Sequence, residues 1–199
     1  MEFKDIVKNR SSIRQFEARA VPEETIGELL DITRYAASAI DLQPWKIKIV
    51  SDQETKDKLF PVTFNQDHVR TCSHLFVFCA ETNYPAIISS LDAAMVAAGT
   101  PDGPRQMMIG MATNVANSMT PEQLLQWSKE QVYIALGNTL NGAHSLGLGA
   151  CPMTAFQPPE YSQILGLPDD LVPTVLVAIG YAAEPGMPKI RRSVDQVVI

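Results

Sequence analysis

The chain of 199 residues is 46% hydrophobic and 19% charged, with a formal net charge of −6, which predicts one packed domain or a subunit whose core is completed by a partner. The negative charge argues against nonspecific nucleic-acid binding, because neutralisation of phosphates by Lys and Arg supplies most of that affinity. No apolar run reaches the roughly 20 residues of a membrane span, and the N-terminus lacks the apolar stretch of a signal peptide, so we expect a cytoplasmic protein with no membrane partner.

Cationic clusters lie near both ends of the chain. Basic residues alternate with hydroxyls in Arg10-Ser11-Ser12-Ile13-Arg14, and basic residues return late, in Lys189-Ile190-Arg191-Arg192. Between residues 106 and 188, Lys129 is the only Lys or Arg. Such clusters in an acidic protein favour a compact anion such as a phosphate, to which the planar guanidinium of Arg donates two charge-assisted hydrogen bonds. Ordinary solvated surface is the alternative that charge alone leaves open.

The first half of the chain shows helix and strand signals in alternation. Pro22-Glu23-Glu24 predicts the start of a helix to about Ala37, because Pro suits the first turn and carboxylates favour the positive end of the dipole. Residues 45–50 alternate in polarity like a strand with one wet face, and Ser51-Asp52-Gln53-Glu54 resembles a capping box that begins another helix. The bulky apolar run over residues 75–80 predicts a buried central strand.

Residues 100–119 are harder to assign. Thr100-Pro101-Asp102-Gly103-Pro104 predicts a loop, and four methionines follow at positions 107, 108, 111 and 119. Because Met adapts to irregular shapes, this segment is either a pliable pocket wall or core filling.

A long helix follows Thr120-Pro121-Glu122-Gln123, a second capping box with Pro at the first helical position. Its apolar stripe runs to about Leu146 at steps of three and four residues. A helix of that length would extend for about 40 Å, more than the width of a small domain, and therefore suggests a subunit interface. Gly147-Leu148-Gly149 ends it; these glycines are no dinucleotide fingerprint, since they follow a helix and the third glycine is missing.

The C-terminal third predicts a short helix over residues 159–166, a buried strand over 172–180 and an extended arm over 194–199. Three widely spaced cysteines and three histidines lack the spacing of a zinc site, so no metal is expected.

Six motifs give the chain its resemblance to the nitroreductase-like family of flavin mononucleotide (FMN) enzymes, particularly the oxygen-insensitive nitroreductases. Each motif alone is weakly specific, but all six occur in the family's order and spacing. They are Arg10-Ser11-Ser12-Ile13-Arg14, Ser38 through Gln43-Pro44-Trp45, Phe64-Asn65-Gln66-Asp67-His68, Gln131-Val132-Tyr133 through Gly137-Asn138, Leu146-Gly147-Leu148-Gly149-Ala150-Cys151-Pro152-Met153, and Lys189-Ile190-Arg191.

The resemblance implies one α+β domain over residues 1–199, with a central, mostly antiparallel sheet flanked by helices. It implies a homodimer with two flavin sites at the interface, each lined by both subunits. The arm over residues 194–199 would add an edge strand to the partner's sheet, and the long helix would lie at the centre of the dimer.

The resemblance also implies a role for each site residue. Arg10, Lys189 and Arg191 would hold the FMN phosphate, while Ser12 and Arg14 would contact the ribityl chain and the pyrimidine edge. Gln43 and Asn65 would hydrogen-bond the cofactor from one side, and Pro152, Met153, Thr154 and Ala155 would pass beneath flavin N5. The remaining residues implied at the cofactor are Ser11, Ser38, Asp41 and His68.

The activity implied is a ping-pong, two-electron reduction of nitroaromatics or quinones by NADH or NADPH. The bound flavin is the reactive centre, and no side chain is required as acid or base because solvent can supply protons. The alternatives are a specialised enzyme of the same fold, of a dehalogenating or flavin-cleaving type, and a noncatalytic flavin-binding redox protein.

Three departures from the family pattern affect these expectations. His68 stands where relatives often have Lys, which gives the hypothesis that the flavin potential or turnover depends on pH through His68 and that Lys at this position would flatten the dependence. Asp41 stands where relatives often have Asn, and Thr154-Ala155 replaces Glu-Gly of the enteric enzymes. These two changes bear on substrate choice and nicotinamide placement.

Overall fold

One antiparallel sheet organises the fold in the computed structural model, which describes residues 2–199. Its four strands lie in the order β1-β2-β4-β3. The strands are β1 (Trp45–Val50), β2 (His74–Glu81), β3 (Gly149–Met153) and β4 (Leu171–Gly180). Helices flank this sheet, so the predicted α+β class with an antiparallel sheet is confirmed. None of the helices within residues 2–199 is both long and apolar enough to cross a membrane.

The helices of the described residues fall into three groups along the chain. Four short or medium helices precede or interrupt the first two strands, namely α1 (Phe3–Asn9), α2 (Glu23–Arg34), α3 (Gln53–Leu59) and α4 (His68–Thr71). Three longer helices follow β2, namely α5 (Tyr84–Ala97), α6 (Asp102–Ser118) and α7 (Pro121–Ser145). Helix α8 (Pro158–Leu165) connects β3 to β4.

Two apolar layers cover the two faces of the sheet, and β2 contributes to both. Phe76 and Phe78 pack with the buried sides of α2 and α7. Their neighbours Leu75 and Val77 pack on the other face with Leu59 of α3 and with α8. All residues of β2 are buried, as predicted for a central strand, and each fully buried large apolar side chain contributes about 1.5–3 kcal/mol.

Helix α7 is the longest element and crosses the sheet. Thr120 and Gln123 form the predicted capping box, and 25 residues give the helix a length of about 38 Å. Gly142 lets α7 approach α2 closely, since a Cβ there would lie 2.8 Å from Cγ2 of Ile32. Tyr133 and Ile134 remain exposed on another face of the helix.

The segment between β2 and α7 differs most from the sequence prediction. The loop predicted over residues 100–104 ends early, because Pro101 caps α6 and Asp102 already lies in its first turn. Helix α5 was not predicted. Met107 and Met111 are 64% and 45% exposed, so core filling is wrong for these two methionines.

Three smaller differences concern element ends. Asp52, not Ser51, is the N-cap of α3, because its carboxylate accepts from the Thr55 N–H at 2.8 Å. Strand β3 was missed, since Gly, Ala and Pro are weak strand formers. The predicted extended arm is wrong at its start, where Val194–Gln196 forms a 3-10 turn capped by Ser193. Pairing of this arm with a partner stays a prediction.

Candidate functional site

A cavity of about 390 Å³ lies where both ends of the chain meet α7. Four of its lining residues are cationic, and within residues 2–199 no Asp or Glu lines it. The lining residues are Val7, Lys8, Arg10, Gly137, Leu140, Asn141, Lys189 and Arg191. The structure thus brings together the three residues predicted to hold a phosphate.

Backbone contacts between the two ends of the chain position this cationic cavity. Arg10 is the C-cap of α1, and its N–H donates to the Ile6 carbonyl. Lys189 Nζ donates to the Val7 carbonyl at 2.5 Å. Phe16 and Ala182 form an antiparallel bridge. At Gly186 the two segments touch, since a Cβ there would lie 1.7 Å from Ser11 Oγ. Rotation of the hydroxyl could relieve this contact, but the same Cβ would also lie 2.8 Å from Ser11 Cβ, so a side chain at position 186 would displace the segment that carries Arg10.

The cations of this cavity repel one another. Burial lowers the pKa of Arg10, and the charge of Arg191 lowers it further. Burial, Arg10 and Arg191 likewise lower the pKa of Lys189. Arg10 Nη1 is buried and has no hydrogen-bond partner among residues 2–199. A bound anion would satisfy this donor and relieve the repulsion, which fits a phosphate group.

His144 lies near the same cations and was missed in the sequence. It is three residues after Asn141 in α7, and residues at that spacing share a helix face. Burial lowers the pKa of His144, and the charges of Arg10 and Lys189 lower it further. The only signal in the sequence for a role of His144 was its position in the last turns of α7, one turn after the cavity-lining Asn141.

Residues 11–15 continue from the cavity along the free edge of β3. Ser12 bridges Ala150 in parallel, and the Ile13 N–H donates to the Ala150 carbonyl at 3.2 Å. The Arg14 and Gln15 N–H groups both donate to Glu184 Oε1, at 2.7 and 3.2 Å. Glu184 therefore fixes the backbone that presents Arg14, and sequence reasoning missed it because the two residues are 170 positions apart.

The turn that contains Asn65 lies beside the end of β3. Phe64 and Asn65 both have left-handed backbones, with φ of 53° and 56°, and Asn65 is exposed. Gln66 Nε2 donates to the Ala155 carbonyl at 2.8 Å. This bond joins the turn to residues 152–155, which the sequence placed beneath the flavin; Pro152 is half-buried and Met153 buried, whereas Thr154 and Ala155 are exposed.

His68 follows this turn at the start of α4 and is buried. Burial lowers its pKa and the nearby charge of Arg14 lowers it further, while Asp67 and Glu184 act in the opposite direction. Its Nε2 atom has no hydrogen-bond partner among the described residues. The imidazole is therefore neutral at pH 7, and its buried Nε2 atom makes no hydrogen bond within the described residues.

Cys151 lies near both arginines of the N-terminal motif, whose charges act on its thiol. It is buried in β3, and burial raises the pKa of its thiol against the opposing charges of Arg14 and Arg10. The thiol is thus protonated and unreactive, as are the buried Cys72 and Cys79, whose pKa values burial raises to about 11 and about 12. No three His, Cys, Asp or Glu side chains of residues 2–199 converge as metal ligands.

Ser38, Asp41 and Gln43 lie at the opposite edge of the sheet from the other predicted site residues. Their loop leads into β1, whereas Ser12 lies beyond β3. Four inter-strand spacings separate these positions by about 19 Å across the sheet alone, and the strand register places them at opposite ends along the strands as well. A single chain therefore does not bring the complete predicted site together.

The loop before β1 is held in a strained conformation. Ile40, Asp41 and Gln43 have φ of 56°, 52° and 45°, a region that is costly for a β-branched residue such as Ile. The Gln43 N–H donates to Ser38 Oγ at 3.0 Å, and the Ala39 N–H donates to Gln131 Oε1 at 2.8 Å. These bonds fix the loop without any contact to the cationic cavity.

A second cavity of about 630 Å³ adjoins this loop and is walled by α2, β1 and α5. Its two cations are paired with carboxylates. Arg34 Nε lies 2.7 Å from Asp31 Oδ1, and Lys46 Nζ lies 3.5 Å from Glu81 Oε2. The charge of this cavity is compensated, so we expect it to attract a phosphate less strongly than the cationic cavity does.

Comparison with known proteins gives consistent matches along the chain. The sequence profile of the Nitroreductase family matches residues 7–181. A Thermus thermophilus protein named NADH dehydrogenase is 33% identical over 199 residues, which cover 100% of this chain and 96% of that protein. A Staphylococcus saprophyticus protein provisionally named NAD(P)H nitroreductase is 25% identical, over 98% of this chain and 94% of that protein.

Solved structures share the fold. A crystal structure from Exiguobacterium sibiricum 255-15, provisionally named a nitroreductase and solved in complex with FMN, aligns with a TM-score of 0.92. It is 22% identical in sequence, and the alignment covers 100% of this chain and 97% of that chain.

Proposed function

The chain belongs to the nitroreductase family, and on that basis we propose that it is an FMN-dependent NAD(P)H oxidoreductase that reduces flat, electron-poor acceptors such as nitroaromatics and quinones. Relatives over its whole length carry NAD(P)H nitroreductase and NADH dehydrogenase names. A protein of the same fold is known in complex with FMN.

The observation that carries this proposal is the uncompensated charge of the cationic cavity. Lys8, Arg10, Lys189 and Arg191 converge there without a carboxylate among the lining residues of the described chain. Arg10 Nη1 is a buried donor without a partner in residues 2–199, as expected of a group that binds a ligand oxygen. FMN ends in one phosphate, the anion that this donor set fits.

The remaining residues of this edge would hold the rest of the cofactor. Ser11 and Ser12 offer hydroxyls next to the cavity, and Arg14 places a permanent cation farther along the same strand edge. When bound, FMN supplies two-electron transfer between NAD(P)H and the acceptor. Arg14 would stabilise the negative charge that accumulates on reduction, so the chain contributes positioning and electrostatics.

We propose that the active form is a homodimer of this single domain, in which Ser38, Asp41 and Gln43 reach the cofactor held by the partner. This follows from their separation, within one chain, from the cationic edge, which consists of residues 8–14 with Lys189 and Arg191; the separation is about 19 Å across the sheet alone. Exposed apolar residues also require cover, namely Tyr133 and Ile134 on α7 and Val194, Val197, Val198 and Ile199 at the C-terminus. Clusters of exposed apolar residues such as these are typical of protein interfaces.

A visible absorption spectrum of the purified, dialysed protein tests the function. We expect a flavin band that bleaches when NADH or NADPH is added without oxygen and returns when a quinone or nitroaromatic is added. A band that persists with both nucleotides would support a noncatalytic flavin protein instead. Absence of the band, even after FMN is added, would contradict the proposal.

A further inference from the structure

His68 occupies an unusual position beside the proposed flavin site. It is 6% exposed, and Nε2 has no hydrogen-bond partner among residues 2–199. A buried polar atom without a partner costs about 1–3 kcal/mol, so such atoms in native proteins point to a ligand or a functional role. The turn before His68 is bonded through Gln66 to Ala155, which aims this region at the segment beneath the proposed cofactor.

Charged groups of both signs surround the imidazole. Arg14 approaches from the edge of β3, Asp67 precedes His68 in the chain, and Glu184 approaches from the segment after β4. Glu184 also accepts hydrogen bonds from the Arg14 and Gln15 N–H groups, so the positions of Arg14 and Glu184 are coupled. Burial and Arg14 outweigh the two carboxylates and hold the pKa of His68 below its ordinary value.

We propose that His68 binds one proton at Nε2 when the bound cofactor is reduced and releases it when the cofactor is reoxidised. This inference rests on the proposed binding of FMN at this edge. One added negative charge near the imidazole would join Asp67 and Glu184 and reverse the balance that keeps the ring neutral. His68 is then a residue that neutralises charge only in the reduced state, whereas Arg14 does so in both states.

Protons and electrons balance over the cycle. NAD(P)H gives up a hydride, which is two electrons and one proton, and becomes NAD(P)⁺. The cofactor gains that hydride and one net negative charge. His68 Nε2 takes one proton from solvent, so each reduction of the site stores two electrons and two protons. Both electrons and both protons are available to the acceptor in the second half of the cycle.

Nuclear magnetic resonance of the three histidines tests the inference directly. The FMN-loaded protein would be labelled with ¹⁵N in its imidazoles and compared at pH 7.5 in the oxidised form and after reduction by dithionite. We expect the His68 nitrogens to change from neutral imidazole to imidazolium, while His74 and His144 keep their signals as internal controls. A His68 ring that stays neutral in the reduced form would overturn the inference.

A redox titration gives a second, independent readout. One extra proton per two electrons changes the equilibrium tenfold per pH unit, which steepens the midpoint potential by 29.6 mV per pH unit. We expect this steeper slope in the wild type and its loss in His68→Lys, whose charge does not depend on the redox state. Equal slopes in both proteins would contradict the proposal.

The two proposals fail in different ways. A protein that binds no FMN would remove the proposed function and this inference together. A protein whose FMN is reduced by NADH while His68 stays neutral would remove only the role of His68.

Discussion

The cationic edge beyond β3 and the loop before β1 handle charge in opposite ways. The cavity at the cationic edge collects four cations without a lining carboxylate in residues 2–199, whereas both cations of the cavity beside the loop have carboxylate partners. An edge that binds an anion must leave its positive charges without carboxylate partners. Its cations therefore repel one another in the free protein. In the proposed homodimer the loop before β1 completes the partner's site, a role that needs a fixed shape, which the strained loop provides.

The cost of each arrangement is visible in a different property. At the cationic edge, repulsion and burial lower the pKa values of Arg10 and Lys189. At the loop the cost is backbone strain, because Ile40, Asp41 and Gln43 have left-handed backbone conformations. Strained residues cost about 1–3 kcal/mol each and occur where the surroundings fix a functional shape. The comparison predicts that charge changes alter FMN binding strongly at the cationic edge and much less at the loop before β1.

The largest effect is expected from removal of Arg10, the half-buried cation of the cationic edge. Arg10→Ala should weaken FMN binding by roughly 10- to 150-fold, because a hydrogen bond to a charged group contributes about 1.5–3 kcal/mol. Fluorescence titration of the apoprotein with FMN measures this change. Lys4→Ala removes an exposed cation of the same helix that does not line the cavity and should leave the affinity unchanged; equal losses in both variants would refute a specific phosphate site.

A tight backbone contact at the same edge should be nearly as sensitive. Gly186→Ala places a methyl group 2.8 Å from Ser11 Cβ, a contact that rotation of the Ser11 hydroxyl cannot relieve, and overpacking of this kind costs about 1–3 kcal/mol of folding stability. Urea denaturation measures the loss. Gly110→Ala in α6 has nothing within 4 Å of the new Cβ and should raise stability by up to about 1 kcal/mol. A Gly186→Ala protein as stable as the wild type would show that the chain ends do not meet as described.

The cationic edge should also make the apoprotein sensitive to acid. Folding lowers the pKa values of His68 and His144, so the unfolded chain binds more protons below its ordinary pKa of about 6.5. Stability is therefore complete above that pH and is lost as the pH falls further, by at most about 1.4 kcal/mol per pH unit for each histidine. Urea midpoints at pH 7.5 and 5.5 should show a smaller loss in His68→Gln; an identical loss would exclude His68 as a contributor.

The smallest effect on FMN affinity is expected in the cavity beside the loop before β1. Lys46→Met removes a cation whose side chain is 60% exposed and paired with Glu81. Exposed ion pairs contribute only about 0–1 kcal/mol to stability, and Lys46 does not line the cationic cavity, so we expect the FMN affinity to change less than about fivefold. A loss as large as that of Arg10→Ala, in the same titration, would erase the distinction between the two edges.

Local signals in the sequence predicted the elements that are specified locally. The capping box at Thr120 and the apolar run of β2 are complete within a few residues, and both appear as predicted. Helices α5 and α6 were both missed because their amphipathicity is weak and because Pro101, Gly103 and Pro104 resemble a loop. Weak periodicity leaves composition as the only signal, and composition favoured the wrong structure.

The residues of the candidate site also divide into those that local sequence signals indicated and those that they missed. Arg10, Lys189 and Arg191 are conspicuous in an acidic chain, and the structure brings them to one cavity. Glu184 and His144 were missed because their importance arises from contacts between segments far apart in sequence. The separation of Ser38 from Ser12 depends on the strand order β1-β2-β4-β3, which no local pattern specifies.

The most direct test of a site shared between two chains uses a heterodimer. One tagged chain would carry Arg10→Ala with Arg191→Ala, and a differently tagged chain would carry Ser38→Ala with Gln43→Ala; both tags would be used in purification, and bound FMN would be counted by absorbance. If each site takes one edge from each chain, the two homodimers bind almost no FMN, and the heterodimer, with one undamaged site, binds about one FMN per dimer. A heterodimer that binds no FMN, or a Ser38→Ala, Gln43→Ala homodimer that binds it normally, would contradict the account.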